Sequence, residues 1–184
     1  MKKSKEIIVL KYAFSWKSGK NTLVFPWKSG KKYIFLSWKK GTIMLKRKID
    51  SYIRNFYETS RNALLITGAR QTGKTFSIRE FGKSFKSFVE INFVENPEAV
   101  EVFKGAKDSE DILLRLSAMT TVPLIKGETL VFFDEVQKCP EMVTAIKFLV
   151  DEGSYRYILS GSLLGVELKD LRSEPVGYMG VKEM

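Results

Sequence analysis

The fold is decided by one short stretch, Gly68-Ala69-Arg70-Gln71-Thr72-Gly73-Lys74-Thr75, which fits the phosphate-binding pattern G-x-x-x-x-G-K-[ST] without a mismatch. An apolar run, residues 63–67, precedes this loop and predicts a buried parallel strand. Residues 76–81 follow the loop and predict the first turns of a helix. Because the pattern binds phosphate in the context of strand, glycine loop and helix, we favour a phosphate site over a chance match in a surface loop.

The predicted loop provides backbone N–H groups, the amine of Lys74 and the hydroxyl of Thr75 for contact with a ligand. The glycines allow a tight turn around phosphate oxygens, and the start of the next helix adds partial positive charge. Lys74 should reach the β- and γ-phosphates, and the hydroxyl of Thr75 should ligate Mg²⁺. The predicted nucleotide-binding residues are Gly68, Ala69, Arg70, Gln71, Thr72, Gly73, Lys74, Thr75 and Phe76.

A second motif, residues 129–135, consists of an apolar run that ends in Asp134 and Glu135. The run predicts a strand buried on both faces, whose carboxyl end would bring the two acids to the crevice where ligands bind in open α/β sheets. We expect Asp134 to serve Mg²⁺ or a water molecule, and Glu135 to act as the general base for an attacking water. The motif is weak alone and gains weight from the phosphate loop upstream.

The next predicted strand, residues 155–160, leads into Ser160-Gly161-Ser162. Small hydroxyl side chains at the carboxyl end of this strand would suit a sensor, in which Ser160 or Ser162 lies near the γ-phosphate or the attacking water. The alternative is a simple turn between a strand and a loop.

The charge of the chain is unevenly distributed. The net charge is +10, yet residues 1–43 hold 11 lysines and one acid, while residues 44–184 hold 20 basic and 20 acidic residues. Bulk charge therefore gives no reason to expect that the nucleotide-binding part contacts DNA or RNA. The single cysteine, Cys139, excludes an internal disulfide and suits a reducing cytosol, and no apolar run is long enough to span a bilayer, so we expect a cytoplasmic protein without a membrane partner.

The N-terminal segment contains an internal repeat, in which residues 14–20 recur as 25–31 and more loosely as 36–41, with tryptophans 11 residues apart. The pattern predicts two or three short antiparallel strands. Three interpretations remain open: a basic, aromatic nucleic-acid-binding arm, a weakly folded appendage, or a segment that is no natural part of the working protein. We therefore separate residues 1–43 from a predicted domain over residues 44–184, which begins with an amphipathic helix over residues 44–60.

The combination of motifs resembles a known family. The phosphate loop with its internal Arg70-Gln71, the run Asp134-Glu135-Val136-Gln137-Lys138-Cys139-Pro140, and Ser160-Gly161-Ser162 after the next strand are similar to the prokaryotic AAA-type ATPases that often carry a C-terminal DUF4143 domain. The resemblance covers about residues 46–184. It implies an α/β fold of the P-loop NTPase class (ASCE/AAA-like), a parallel sheet with helices on both faces, preceded here by the small β-rich repeat segment. In that sheet the sensor strand lies between the phosphate-loop strand and the acid-bearing strand.

The resemblance also implies roles and limits. Lys74 and Thr75 would bind phosphate and Mg²⁺, Asp134 and Glu135 would serve Mg²⁺ and water, and Ser160 or Ser162 would be the sensor. Arg172 lies where such proteins often have an arginine that senses γ-phosphate, although Leu171 replaces the usual glycine and a surface arginine is the alternative. Such proteins continue into further helical and C-terminal domains, so we expect a lid and a region for protein partners, or for a second copy of the chain, to be missing here.

The expected function is therefore binding of ATP with Mg²⁺ and its hydrolysis at the β–γ phosphoanhydride. Two alternatives remain. One is a truncated nucleotide-binding module without efficient hydrolysis, and the other is a nucleic-acid-binding protein that acts through the basic repeat. A small-molecule kinase is also compatible with a phosphate loop, although the Asp134-Glu135 pair favours water as the nucleophile.

Overall fold

The computed structural model describes three short strands near the N-terminus together with residues 47–162 and 177–184. It divides into two compact units, residues 1–48 and residues 49–184. The first repeat unit, much of the second and Arg172 lie outside the described residues.

The first unit contains a three-stranded antiparallel sheet of β1 (Thr22–Pro26), β2 (Tyr33–Lys39) and β3 (Thr42–Leu45), with β2 in the middle. The predicted short antiparallel strands are confirmed. The predicted helix over residues 44–60 is wrong at its start, because Met44 and Leu45 pair with Ser37 and Leu36 and so belong to β3. The helix α1 spans Lys48–Thr59.

In the described residues the second unit is built on a five-stranded sheet in which all pairings are parallel, which confirms the parallel sheet that the resemblance implied. Its strands are β4 (Ala63–Gly68), β5 (Ser87–Asn92), β6 (Thr129–Asp134), β7 (Arg156–Ser162) and β8 (Met179–Glu183). Their order across the sheet is β5-β6-β7-β4-β8. The serine-bearing strand β7 therefore lies between the phosphate-loop strand β4 and the acid-bearing strand β6, which is the order that the resemblance implied.

Helices cover both faces of this sheet because its three central strands, β6, β7 and β4, are apolar on both sides. On one face, α1 and α2 (Lys74–Gly82) pack in a single apolar cluster with side chains of β4, β6 and β7. On the other, α3 (Ser109–Met119), α4 (Pro140–Glu152) and a 3-10 segment, Pro97–Val102, form a second cluster with the alternate side chains of the strands. Asp108 caps α3 by accepting a 2.9 Å hydrogen bond from the N–H of Asp111.

One strand boundary differs from expectation. The strand predicted to end at Ser160 runs on to Ser162, because Gly161 and Ser162 pair with Thr67 and Gly68 of β4. The serine pair thus lies within the strand and not in a turn after it.

Helix α2 lies very close to strand β5. A Cβ atom at Gly82 would fall 2.4 Å from the ring of Phe88, so a larger residue here would require this ring to shift. Arg79 of the same helix donates hydrogen bonds from Nε and Nη2 to the carboxylate of Glu90 on β5. These contacts fix the position of the helix that starts at the phosphate loop. Among the described residues, no helix combines the length and apolar character needed to cross a bilayer.

Candidate functional site

The loop between β4 and α2 depends on left-handed backbone conformations. Gly73, which caps α2, has φ 90°, and Gln71 has φ 61°. Residues other than glycine rarely adopt a positive φ. The hydroxyl of Thr72 donates a 3.0 Å hydrogen bond to the carbonyl of Ala69 and closes the turn. The chain therefore bends back on itself and presents the N-terminus of α2 at the carboxyl edge of the sheet.

Lys74 is folded onto the start of the loop. Its Nζ donates hydrogen bonds to the carbonyl oxygens of Gly68 (3.1 Å) and Ala69 (2.7 Å), and the residue is buried. Burial lowers the pKa of the Lys74 ammonium, and the nearby carboxylates of Glu135 and Asp134 partly oppose this effect. The amine is held by two neutral carbonyls, so a polyphosphate would offer it a stronger, charged partner.

Asp134 is the centre of a hydrogen-bonded network at the end of β6. Its Oδ2 accepts a 3.1 Å hydrogen bond from the hydroxyl of Thr75 and lies 3.5 Å from the amide Nδ2 of Asn92. Its Oδ1 accepts hydrogen bonds from the hydroxyl of Ser160 and from the backbone N–H of Glu135. A buried carboxylate is thereby surrounded by groups from α2, β5 and β7.

The sheet register explains why these side chains meet. Asn92 pairs with Asp134 across β5 and β6, so the two residues occupy equivalent positions on neighbouring strands. Strand side chains alternate, and the buried Phe132 packs in the cluster that includes α2, so Asp134, two residues further on, faces the same side. Ser160 and Ser162 likewise follow Ile158 of that cluster, and both are buried.

Glu135 leaves the strand in a left-handed conformation, with φ 58°. It begins a short 3-10 segment, Val136–Lys138, and its side chain remains partly exposed. The carboxylate oxygen Oε2 accepts a hydrogen bond from the side-chain amide of Gln137. The general base predicted from the sequence is thus next to Asp134 and has a buried amide as its partner.

The structure brings most of the predicted residues to one edge of the sheet. Lys74, Thr75, Asp134 and Ser160 lie in contact with one another or with the loop, whereas Arg70 and Gln71 are exposed on its outer side. Phe76, at the first turn of α2, is 51% exposed.

Two residues of the site were not predicted, Asn92 and Gln137. Asn92 carried one usable signal, since it is a polar side chain near the end of a β-branched and aromatic run, residues 88–93. Gln137 stood in the run that carried the resemblance, residues 134–140, without a role, and its contact depends on the backbone conformation of Glu135.

The P-loop NTPase class is defined by a strand, a glycine loop with its lysine at the head of a helix, and an aspartate at the end of a second strand of the same sheet, here separated from the first by β7. The family model described as an AAA domain matches residues 60–184, more than half of the chain, and the chain belongs to this family. Residues 60–184 are therefore an AAA domain of the P-loop class.

Two solved structures are similar to this chain. The Walker-type ATPase PABY2304 of Pyrococcus abyssi is 16% identical with a TM-score of 0.46, and the match covers 75% of this chain and 53% of that one. PCH-2 of C. elegans is 14% identical with a TM-score of 0.39, over 74% of this chain and 41% of that one. The chain thus spans about half the length of these two proteins or less. No curated protein matches the sequence.

Proposed function

We propose that the chain binds ATP together with Mg²⁺ and hydrolyses its terminal phosphoanhydride bond. The observation that carries this proposal is the 3.1 Å hydrogen bond between the hydroxyl of Thr75 and Oδ2 of Asp134. It joins the residue after the loop lysine to the acid at the end of β6, 59 positions later in the sequence. A hydroxyl and a carboxylate at this separation can serve one metal ion.

The phosphates would be held by the loop itself. Backbone N–H groups at the start of α2 point toward the loop, and the helix dipole favours an anion there. Lys74 would exchange its two carbonyl partners for phosphate oxygens, because the negative charge of phosphate attracts the ammonium more strongly than a neutral carbonyl does.

The donor set fits Mg²⁺, which prefers oxygen ligands and binds through one or two protein groups together with phosphates and water. Thr75 and Asp134 would hold it, and Ser160 and Asn92 would fix the orientation of the carboxylate. When bound, Mg²⁺ neutralises negative charge on the phosphate oxygens.

Glu135 would accept a proton from the attacking water. The oxygen of that water forms a bond to the γ-phosphorus while the bond from phosphorus to the β-γ bridging oxygen breaks, which releases ADP and phosphate. The part-exposed position of Glu135, directly after the buried Asp134, suits contact with water. The proposal includes a cytoplasmic setting, since the single cysteine is free and buried.

Equilibrium ATP binding and steady-state hydrolysis, measured on the same preparation, test the proposal. Lys74→Ala should abolish binding, and Glu135→Gln should bind ATP normally and slow turnover by about 100-fold or more. Lys83→Ala is the matched control, because Lys83 directly follows α2 and forms an ion pair with Glu80 at the surface. Normal hydrolysis in Glu135→Gln would remove the base assignment, and binding without turnover in the native chain would favour a nucleotide-binding module.

A further inference from the structure

Gln137 lies in the short 3-10 segment directly after Glu135 and is buried, and its amide Nε2 donates a hydrogen bond to Oε2 of Glu135. We propose that Gln137 is a positioning residue that holds the Glu135 carboxylate in the orientation needed to accept a proton from water. This inference rests on the proposed hydrolysis. It assigns to the site a residue that neither phosphate loop nor acid motif includes.

The chemistry of the two side chains fixes the orientation of the amide. An ionised carboxylate only accepts hydrogen bonds, so the nitrogen of Gln137 must face Glu135. The oxygen Oε1 of Gln137 then lies buried without a hydrogen-bond partner among the described residues. A buried acceptor without a partner lowers the free energy of unfolding, so the orientation that allows the contact with Glu135 lowers the stability of the folded chain.

The backbone around this pair is firmly held. The carbonyl of Glu135 accepts a 3.0 Å hydrogen bond from the N–H of Lys138, and that of Val136 accepts one of 3.0 Å from Cys139. Val136 and Cys139 are completely buried on either side of Gln137. The left-handed conformation of Glu135 is itself strained for a residue with a side chain, and such strain concentrates at functional sites.

The hydrogen bond from Gln137 gives the two carboxylate oxygens of Glu135 different roles. Oε2 is held by Gln137, and Oε1 is left to accept the proton as the water oxygen bonds to the γ-phosphorus. Without the amide, the carboxylate would rotate about its terminal torsion, which is broad and two-fold. A general base acts only within hydrogen-bonding reach of its proton, so the loss of orientation should lower kcat and leave ATP affinity unchanged.

Two substitutions separate positioning from folding. Gln137→Met keeps the length of the side chain and removes both the donor and the buried acceptor. We expect kcat to fall by about ten-fold or more, with the KM for ATP unchanged and the melting temperature equal or higher. Gln137→Glu places a second carboxylate against Glu135, which should move the acidic limb of the kcat–pH profile to higher pH because two adjacent carboxylates cannot both ionise freely.

Thr129→Val is the matched control for general destabilisation. Thr129 is buried at the far end of β6, and its hydroxyl bonds the backbone N–H (2.7 Å) and carbonyl (3.0 Å) of Ile125. This variant should lose thermal stability and keep kcat, the opposite of Gln137→Met.

The possible outcomes distinguish this proposal from the one on which it rests. A native chain that hydrolyses ATP, with Gln137→Met equally active or impaired only in parallel with its stability, would overturn the role of Gln137 and leave the ATPase proposal intact. A native chain that binds ATP and does not hydrolyse it would overturn both. Reduced kcat at unchanged KM, together with the displaced pH profile of Gln137→Glu, would support the assignment.

Discussion

The hydroxyl of Thr75 donates its hydrogen bond to Oδ2 of Asp134 over 3.1 Å and thereby links the first turn of α2 to the end of β6. The carboxylate of Asp134 also accepts a hydrogen bond from the hydroxyl of Ser160 on β7 and lies close to the amide of Asn92 on β5. The helix that follows the loop is therefore connected to three strands through one carboxylate.

Thr75→Val should weaken the Mg²⁺-dependent part of ATP affinity, because it removes the hydroxyl and keeps the shape of the side chain. We expect a loss of about ten-fold, or about 1.4 kcal/mol, in titrations with Mg²⁺, and little change in the presence of a chelator. Thr75→Ser keeps the hydroxyl and is the control. Equal losses in the two variants would show that the hydroxyl does not serve the metal.

ATP affinity should fall as the pH rises from neutrality toward the ordinary lysine pKa of 10.5. Burial lowers the pKa of Lys74, so its ammonium group loses the proton at a pH below 10.5. The neutral amine that results no longer attracts phosphate. Isothermal titration at constant ionic strength would show the decline. Any affinity that remains in Lys74→Arg should be insensitive to pH over this range, since a guanidinium stays protonated. A constant affinity in the native chain would contradict the prediction.

Phe76 should contribute to recognition of the nucleoside, since it is a large aromatic side chain, 51% exposed, directly after the residue that would bind the metal. We expect Phe76→Ala to weaken ATP binding by about ten-fold, the size of a typical base-stacking contact. Binding of inorganic triphosphate should not change. Phe148→Ala is a control of similar exposure (39%) on α4, and it should bind both ligands normally.

Cys139 should be a slow nucleophile in the folded chain. It is buried, and burial raises the pKa of its thiol from 9.0 to about 11. Because only the thiolate reacts, alkylation by iodoacetamide at pH 8 should be at least about 100-fold slower than in the same chain unfolded in urea. The rate should increase as the pH approaches 11. Rapid labelling of the native chain at pH 8 would show that the thiol is accessible and activated.

The sequence predicted those features of the site that depend on local pattern. The loop with Lys74 and Thr75 and the apolar strand ending in Asp134 follow from short motifs whose residues are neighbours in the chain. The sheet order came from the resemblance, since no local pattern states which strands become neighbours in space.

The features that the sequence did not predict depend on pairing between distant segments. Asn92 reaches Asp134 because β5 and β6 align at that position, and β7 continues to Ser162 because β4 continues to Gly68. Met44 and Leu45 look like the start of an amphipathic helix and are instead paired with β2. Local propensity could not reveal these partners.

Gly68 is the last residue of β4, the strand that lies between β7 and β8. It pairs with Ser162 of β7 on one side and faces Met184, directly after the end of β8, on the other. The N–H of Met184 donates a 2.9 Å hydrogen bond to the carbonyl of Thr67, and the Met184 carbonyl lies 2.5 Å from the place that a Cβ of Gly68 would occupy. The first residue of the phosphate loop is thus clamped by an edge strand. A displacement of β8 would therefore move the backbone of Gly68, whose carbonyl accepts a hydrogen bond from the amine of Lys74.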